Sequence, residues 1–157
     1  MDMFEKFYNN LKAKRKSIVF TEGPDPRILE AADRLLKEDV MDVILCGDPA
    51  EVKAKAGECG FNIDKATILD PKTYDRMDEL VDKMVELRKG KMTPDECRAN
   101  LQKSNYFGTM LVKMGIADAL LGGATYSTAD TVRPALQIIK TRPGSNLVSS
   151  CFILYRT

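Results

Sequence analysis

Histidine is absent from all 157 residues. That removes the commonest acid/base group and metal ligand, and with it any serine-hydrolase triad. The four cysteines, Cys46, Cys59, Cys97 and Cys151, are scattered and form no CxxC pair, which argues against a zinc centre and against a small disulfide scaffold. They read as reduced thiols of a cytoplasmic protein, and no metal site is expected. No long apolar run opens the chain: MDMFEKFYNNLKAKRK mixes acidic, basic and polar residues among its apolar ones, unlike a signal peptide or a membrane span. A dominant charge is missing too, since 24 Lys+Arg against 23 Asp+Glu leave a net charge of +1. No global field favours nucleic acid or anionic lipid, so any anion must be recognised locally. Internal repeats and low-complexity tracts are likewise lacking.

What remains is a composition that buries a core. Hydrophobic residues make up 44% and charged ones 30%, a balance and length that suit one domain. Phe4, Phe7, Tyr8 and Leu11 recur at helical spacing and predict an opening helix whose apolar face packs on a sheet. Ser17 to Thr21 predicts a short buried strand ended by Gly23-Pro24, and Asp25-Pro26 then caps a helix with Ile28, Leu29, Ala32, Leu35 and Leu36 as its stripe. Asp42 to Cys46 is a second strand, and Asp48-Pro49-Ala50-Glu51 starts a helix that Gly60 stops. Thr67 to Leu69 is a brief third strand, followed by a helix over about Asp75 to Lys89. Thr93-Pro94-Asp95-Glu96 is a capping box for a helix to about Gln102, and Tyr106, Phe107, Met110, Leu111 and Met114 mark another. Ala119 to Leu121 predicts a strand entering Gly122-Gly123. Thr128 or Asp130 caps a helix containing Val132, Leu136, Ile138 and Ile139, which Pro143-Gly144 ends. Leu147 to Tyr155 has the composition of a last strand.

Strand and helix alternate throughout, so the expected fold is α/β: a three-layer α/β/α arrangement with a mostly parallel sheet and helices on both faces. Open sheets of this kind take ligands beyond the carboxyl ends of their strands. A terminal strand with no crossover helix after it suggests that the sheet or a second domain continues beyond residue 157, so a fragment is expected.

The stretch GGATYSTADTVRP, Gly122 to Pro134, has the grammar of an anion cradle. Gly123 and its neighbour allow close backbone approach, a helix amino terminus favours negative charge, and Ser127 and Thr128 add hydroxyl donors. Arg133 adds a planar, permanently charged fork suited to phosphate oxygens. A capped strand-to-helix loop with a solvated arginine explains the same residues. The stretch is neither a P-loop nor a dinucleotide fingerprint. Arg88, Lys89 and Lys91 cluster at a helix carboxyl end, where positive charge complements the dipole, so from spacing alone they need no ligand. The loop TEGPDPR, Thr21 to Arg27, also lies where a site is expected, but its aspartate and prolines are accounted for by capping.

Taken together, SIVFTEGPDPRILEAADRL, YFGTMLVKMGIADALLGGA, STADTVRPALQIIKTRPG and VSSCFIL make the chain resemble the phosphate acetyl/butyryl transferase family. The similarity covers essentially the whole chain but only about half the family's usual length. The resemblance implies a fold like that of isocitrate and isopropylmalate dehydrogenases, with residues 1–146 a first α/β domain and 147–157 the first strand of a truncated second domain. It implies reversible transfer of an acetyl group between acetyl phosphate and coenzyme A, in the cytoplasm, by an acyltransferase that is a homodimer when full length. Acetyl phosphate, phosphate and CoA or acetyl-CoA are substrates, and no cofactor is permanently bound. The resemblance assigns Arg133, Ser127, Thr128, Gly123 and Arg88 to substrate binding, which reverses the reading of Arg88 from spacing. It places the base that activates the thiol in the missing half, so no catalytic residue is assigned here and little activity is expected of this chain alone. A butyryl-transferring enzyme, a malic-enzyme-associated domain, or a non-catalytic phosphate- or CoA-binding domain would share the scaffold.

Overall fold

The computed structural model describes residues 3–150 and Leu154. Four parallel strands, β1 (Ser17–Phe20), β2 (Asp42–Cys46), β3 (Thr67–Leu69) and β4 (Ala119–Leu121), form one sheet in the order β3-β2-β1-β4. The helices are α1 (Met3–Ala13), α2 (Pro26–Lys37), α3 (Pro49–Cys59), α4 (Met77–Arg88), α5 (Pro94–Leu101), α6 (Ser104–Lys113) and α7 (Thr128–Pro134), the last running into a π-helical stretch, Ala135–Ile139. Alternation along the strands divides the core. Phe20, Val43 and Leu45 face α2 and α3, whereas Val19, Ile44 and Cys46 face α4, α5, α6 and the π-helical stretch. The expected three-layer α/β/α fold is therefore present. Phe107, Met110 and Leu111 of α6 are fully buried on the second face, each such side chain contributing about 1.5–3 kcal/mol.

Local signals explain where the helices begin. Asp25 accepts from the Arg27 N–H ahead of α2, Asp48 from Ala50 and Glu51 ahead of α3, and Thr93 with Glu96 completes a reciprocal capping box at α5. Gly60 ends α3 in the left-handed conformation.

Four expectations are corrected. α1 forms, but Phe4 and Phe7 stay 41% and 45% exposed, edge-to-face at 6.4 Å, so its apolar stripe does not pack on the sheet. Ser127, not Thr128 or Asp130, caps α7. The helix beyond it ends at Ile139, where Lys140 has φ 66°, before Pro143-Gly144 is reached. In the predicted strand from Leu147, residues 147–150 form neither strand nor helix, and 151–153 and 155 lie outside the described residues.

The sheet order locates the site. From β1 the chain moves outward to β2 and β3, then returns through α4, α5 and α6 to place β4 on the other side of β1. The order thus reverses between β1 and β4, and a crevice beyond their carboxyl ends is where such a sheet receives ligands. The loops there are Thr21 to Asp25 and Gly122 to Ser127.

Candidate functional site

Gly122 and Gly123 are required where β4 leaves the sheet. A Cβ on Gly122 would sit 2.5 Å from the Thr21 Oγ1, and Gly123 has φ +102°. The turn they make aims a series of backbone N–H groups at one point, and that point is occupied by the chain's own carboxylate. Glu22, only 7% exposed, accepts from the N–H of Gly123 at 3.1 Å, Thr125 at 2.7 Å and Tyr126 at 3.0 Å. The hydroxyls of Thr21 and Thr125 donate to it as well, at 3.0 and 3.3 Å. Burial is the largest single influence on this carboxyl and would raise its pKa. The donors from Thr125, Tyr126, Thr21 and Gly123 together outweigh it and hold the pKa below the ordinary carboxylate value. The glycine turn is an anion cradle, as its sequence suggests, but its anion is internal. Gly123, expected at the substrate, spends its N–H on Glu22.

Beyond the turn, Ser127 Oγ accepts from the Asp130 N–H at 3.1 Å and donates to the Asp130 carboxylate at 2.7 Å. Thr128 opens α7 and is exposed. Arg133 lies one turn further, its side chain 56% exposed, with a 3.5 Å contact to Asp130 as its one ion pair among the described residues. An exposed pair of that length contributes about 0–1 kcal/mol, so the guanidinium is available to a ligand.

Arg88 comes to the same side from the end of α4. It donates through Nη1 to the carbonyl of Gln137 at 3.3 Å, while its Nε is buried without a hydrogen-bond partner among the described residues. Gln137 also receives Tyr106 of α6, whose hydroxyl donates to its Oε1 at 2.9 Å. Burial raises the Tyr106 pKa, and the positive charges of Arg133 and Arg88 pull against that rise, so both guanidiniums act on the same phenol. Lys140 closes the group by donating to the Leu87 carbonyl at 2.8 Å.

Pro134 shapes this face. It has no N–H to offer the carbonyl of Asp130 four residues back, and that carbonyl instead accepts the buried Asn105 amide at 2.8 Å. The ladder then slips to π spacing, with Lys140 N–H donating to Ala135 at 3.0 Å.

A different part of the sheet's carboxyl edge carries the opposite charge. A cleft of about 520 Å³ beyond β1, β2 and β3 is lined by Glu22, Asp25, Asp48, Glu51 and Asp70, with Lys72 the one basic residue in its lining. None of Arg88, Arg133, Ser127 or Thr128 lines it. Its carboxylates repel phosphate, and three of them are committed locally: Asp25 and Asp48 as helix caps, Asp70 to the Lys72 N–H at 2.9 Å. No cluster of His, Cys, Asp or Glu among the described residues could hold a metal ion, and no described helix is long and apolar enough to cross a membrane.

Of the residues named from sequence, the structure brings Arg133, Ser127 and Thr128 together on α7 and Arg88 to the neighbouring π-helical stretch. Sequence reasoning missed Glu22, Asn105 and Tyr106. The available signal for Glu22 was its position, a carboxylate directly after a buried strand.

Comparison with known proteins agrees with this architecture. Residues 2–157 match the model of the family described as phosphate acetyl/butaryl transferase. The phosphate acetyltransferase of Bacillus subtilis (strain 168) is 48% identical over 155 residues, covering 99% of this chain and 48% of that protein. That of Corynebacterium glutamicum is 41% identical, covering 98% and 47%. Among solved structures, a phosphotransacetylase from Streptococcus pyogenes superposes with a TM-score of 0.86 at 44% identity, covering 92% of this chain and 45% of that one. The EutD phosphotransacetylase from Staphylococcus aureus gives 0.84 at 42%, covering 94% and 46%. The chain thus spans about half the length of the relatives it matches. With the sheet, the returning β4 and the family match in agreement, the chain belongs to the phosphate acetyl/butaryl transferase family.

Proposed function

We propose that this chain supplies the phosphate-holding part of a phosphate acetyltransferase, which moves an acetyl group reversibly between acetyl phosphate and coenzyme A. The observation that carries the reading is that the charges of Arg88 and Arg133 both act on the Tyr106 phenol, with Asp130 the only acid paired to either among the described residues. A planar fork matches phosphate oxygens, and a buried Nε with no partner is a costly arrangement that an oxyanion nearby would relieve.

In the forward direction the CoA thiolate attacks the acetyl carbonyl. The carbon–sulfur bond forms, the bond from the acetyl carbon to the phosphate oxygen breaks, and phosphate leaves with the electron pair. Arg133 and Arg88 hold the phosphoryl oxygens and stabilise the charge that grows on them, while Ser127 and Thr128 offer hydroxyl donors at the helix start. Gly123 contributes through the shape of its turn. The group that accepts the thiol proton is assigned to the part of the enzyme that the relatives carry beyond this segment. Residues 1–146 then form the first domain, 147–157 enter the second, and the whole enzyme works as a cytoplasmic homodimer with acetyl phosphate, phosphate and CoA as its small-molecule partners and no permanent cofactor.

The test is thioester formation from acetyl phosphate and CoA by the whole gene product containing residues 1–157. Arg133→Ala should lower kcat/KM for acetyl phosphate by about 10²–10³-fold, the usual effect of deleting a donor to developing charge. Arg133→Lys should recover only part, because an ammonium lacks the fork. Unchanged turnover in Arg133→Ala would defeat the assignment.

A further inference from the structure

The loop before α7 is gripped peptide by peptide from the loop after β1. Glu22 takes the N–H groups of Gly123, Thr125 and Tyr126, and Arg27 donates through Nη2 to the intervening carbonyl of Ala124 at 2.6 Å. Arg27 is itself held by Asp25, Nε to Oδ1 at 2.9 Å and Nη2 to Oδ2 at 2.8 Å. Each backbone group from 123 to 126 that these residues engage is one the loop does not bond within itself. The next residue is Ser127, the cap of α7, and Arg133 follows on that helix.

We propose that Glu22, assisted by Arg27, is the positioning residue of the phosphate site: it fixes the start of α7 and so the place from which Arg133 and Ser127 reach the phosphoryl group. Neither Glu22 nor Arg27 touches substrate in this scheme, which rests on the transferase reading above. A carboxylate is needed because three N–H groups and two hydroxyls converge on it, more acceptor sites than a neutral amide offers. Glu22→Gln turns an N–H₂ toward donors and leaves at least one loop amide unpaired. Its effect on phosphate then travels only through the loop, which sets it apart from an ordinary buried ion.

The experiment compares wild type, Glu22→Gln, Arg27→Gln, Arg133→Ala and the Glu22→Gln/Arg133→Ala double variant. Backbone amide exchange is followed at Gly123, Thr125 and Tyr126 and, as a measure of the sheet, at Val19 and Ile44. Inorganic phosphate is titrated calorimetrically, and KM values are taken in the whole enzyme. Glu22→Gln should speed exchange at the three loop amides and weaken phosphate by about tenfold or more each, the loss expected for hydrogen bonds to a charged acceptor, with sheet amides unchanged. The KM for acetyl phosphate should rise while that for CoA stays put, and the phosphate effect should shrink when Arg133 is already alanine, leaving only the part that runs through Ser127. Faster loop exchange with phosphate affinity intact, or an equal rise in both KM values, overturns the proposal and leaves the transferase reading standing. No phosphate binding by wild type overturns both. If Glu22→Gln loses sheet protection, Arg27→Gln decides, because its exposed side chain can change without disturbing the core: freed loop amides without weaker phosphate binding overturn the proposal.

Discussion

Burial pushes the Cys46 thiol up to about 12, and it raises Cys97 as well, so neither is a nucleophile at neutral pH. Cys59, near the end of α3, is only partly buried. With these three thiols free among the described residues, alkylation of the native protein should modify Cys59 well before Cys46 or Cys97, as peptide mass spectrometry would map. Equal labelling of Cys46 would mean that the sheet's carboxyl edge opens far more readily than its packing allows. At this scale the sequence was a mixed guide. Asp25 is recognisable from its Asx-proline pair, and Arg133 stands out from its place after a capped helix start, whereas the pattern assigns the capping role of Ser127 to Thr128 or Asp130. Glu22 could not be recognised in the same way, because its donors come from Gly123, Thr125 and Tyr126, about a hundred residues along the chain. The glycine turn advertised an anion without saying whose.

Among the elements, α7 is the one whose geometry departs most from its pattern. Helical spacing of Val132, Leu136 and Ile139 would suggest a buried stripe, yet all three are exposed and only Ile138 is fully covered. Pro134 breaks the ladder and slips the residues after it into π spacing, which rotates Leu136 and Ile139 relative to an α-helical projection. Asn105, 6% exposed, offsets the break by donating to the orphaned Asp130 carbonyl and accepting the Tyr106 N–H. Asn105→Ala should therefore cost about 1–3 kcal/mol, the usual penalty for stranding buried polar groups. In a Pro134→Ala background residue 134 regains an N–H for Asp130, so the same Asn105→Ala change should cost less. Urea midpoints of the four proteins check this, and an undiminished cost would show that Asn105 matters through Tyr106 alone. The strands and the capped helices α2, α3 and α5 were legible because their signals are local, such as Asp-Pro caps, the capping box and β-branched runs. The packing of α1 was not, since periodicity gives a helix an apolar face without giving that face a neighbour.

For the whole molecule, charge is sorted along the sheet's carboxyl edge even though the total is +1. Carboxylates gather beyond β2 and β3, while Arg88, Arg133 and Lys140 lie on the α4, α6 and α7 side. The local partners of individual carboxylates set how stability should depend on pH. Glu22 is held below its ordinary 4.5 because its hydrogen-bond donors together outweigh burial, and Asp33 below 3.8, chiefly by Lys37. Asp118, bonded by Lys16 and by the Ser17 N–H and hydroxyl, falls from 3.8 to about 2. A carboxylate with a lowered folded pKa takes up its proton more readily when unfolded, so its contribution is complete above the unfolded value and is lost as pH falls through the folded one. At the alkaline end the sign reverses. Cys46 resists ionisation when folded, so its contribution is complete below about 9 and disappears as pH rises toward about 12. Between these limits the side chain that ordinarily titrates, histidine, is absent. The urea midpoint should therefore stay level from about pH 5.5 to 8, decline below about pH 4.5, and go on declining toward pH 2 as Asp118 takes up its proton. Asp118→Asn should flatten the lowest part of that decline, because the group that titrates there has gone, while leaving the fall near pH 4 in place. A midpoint that rises as pH falls from 5 to 3 would contradict the sign of each carboxylate shift named here, and a slope between pH 6 and 7 would have to come from a group other than histidine.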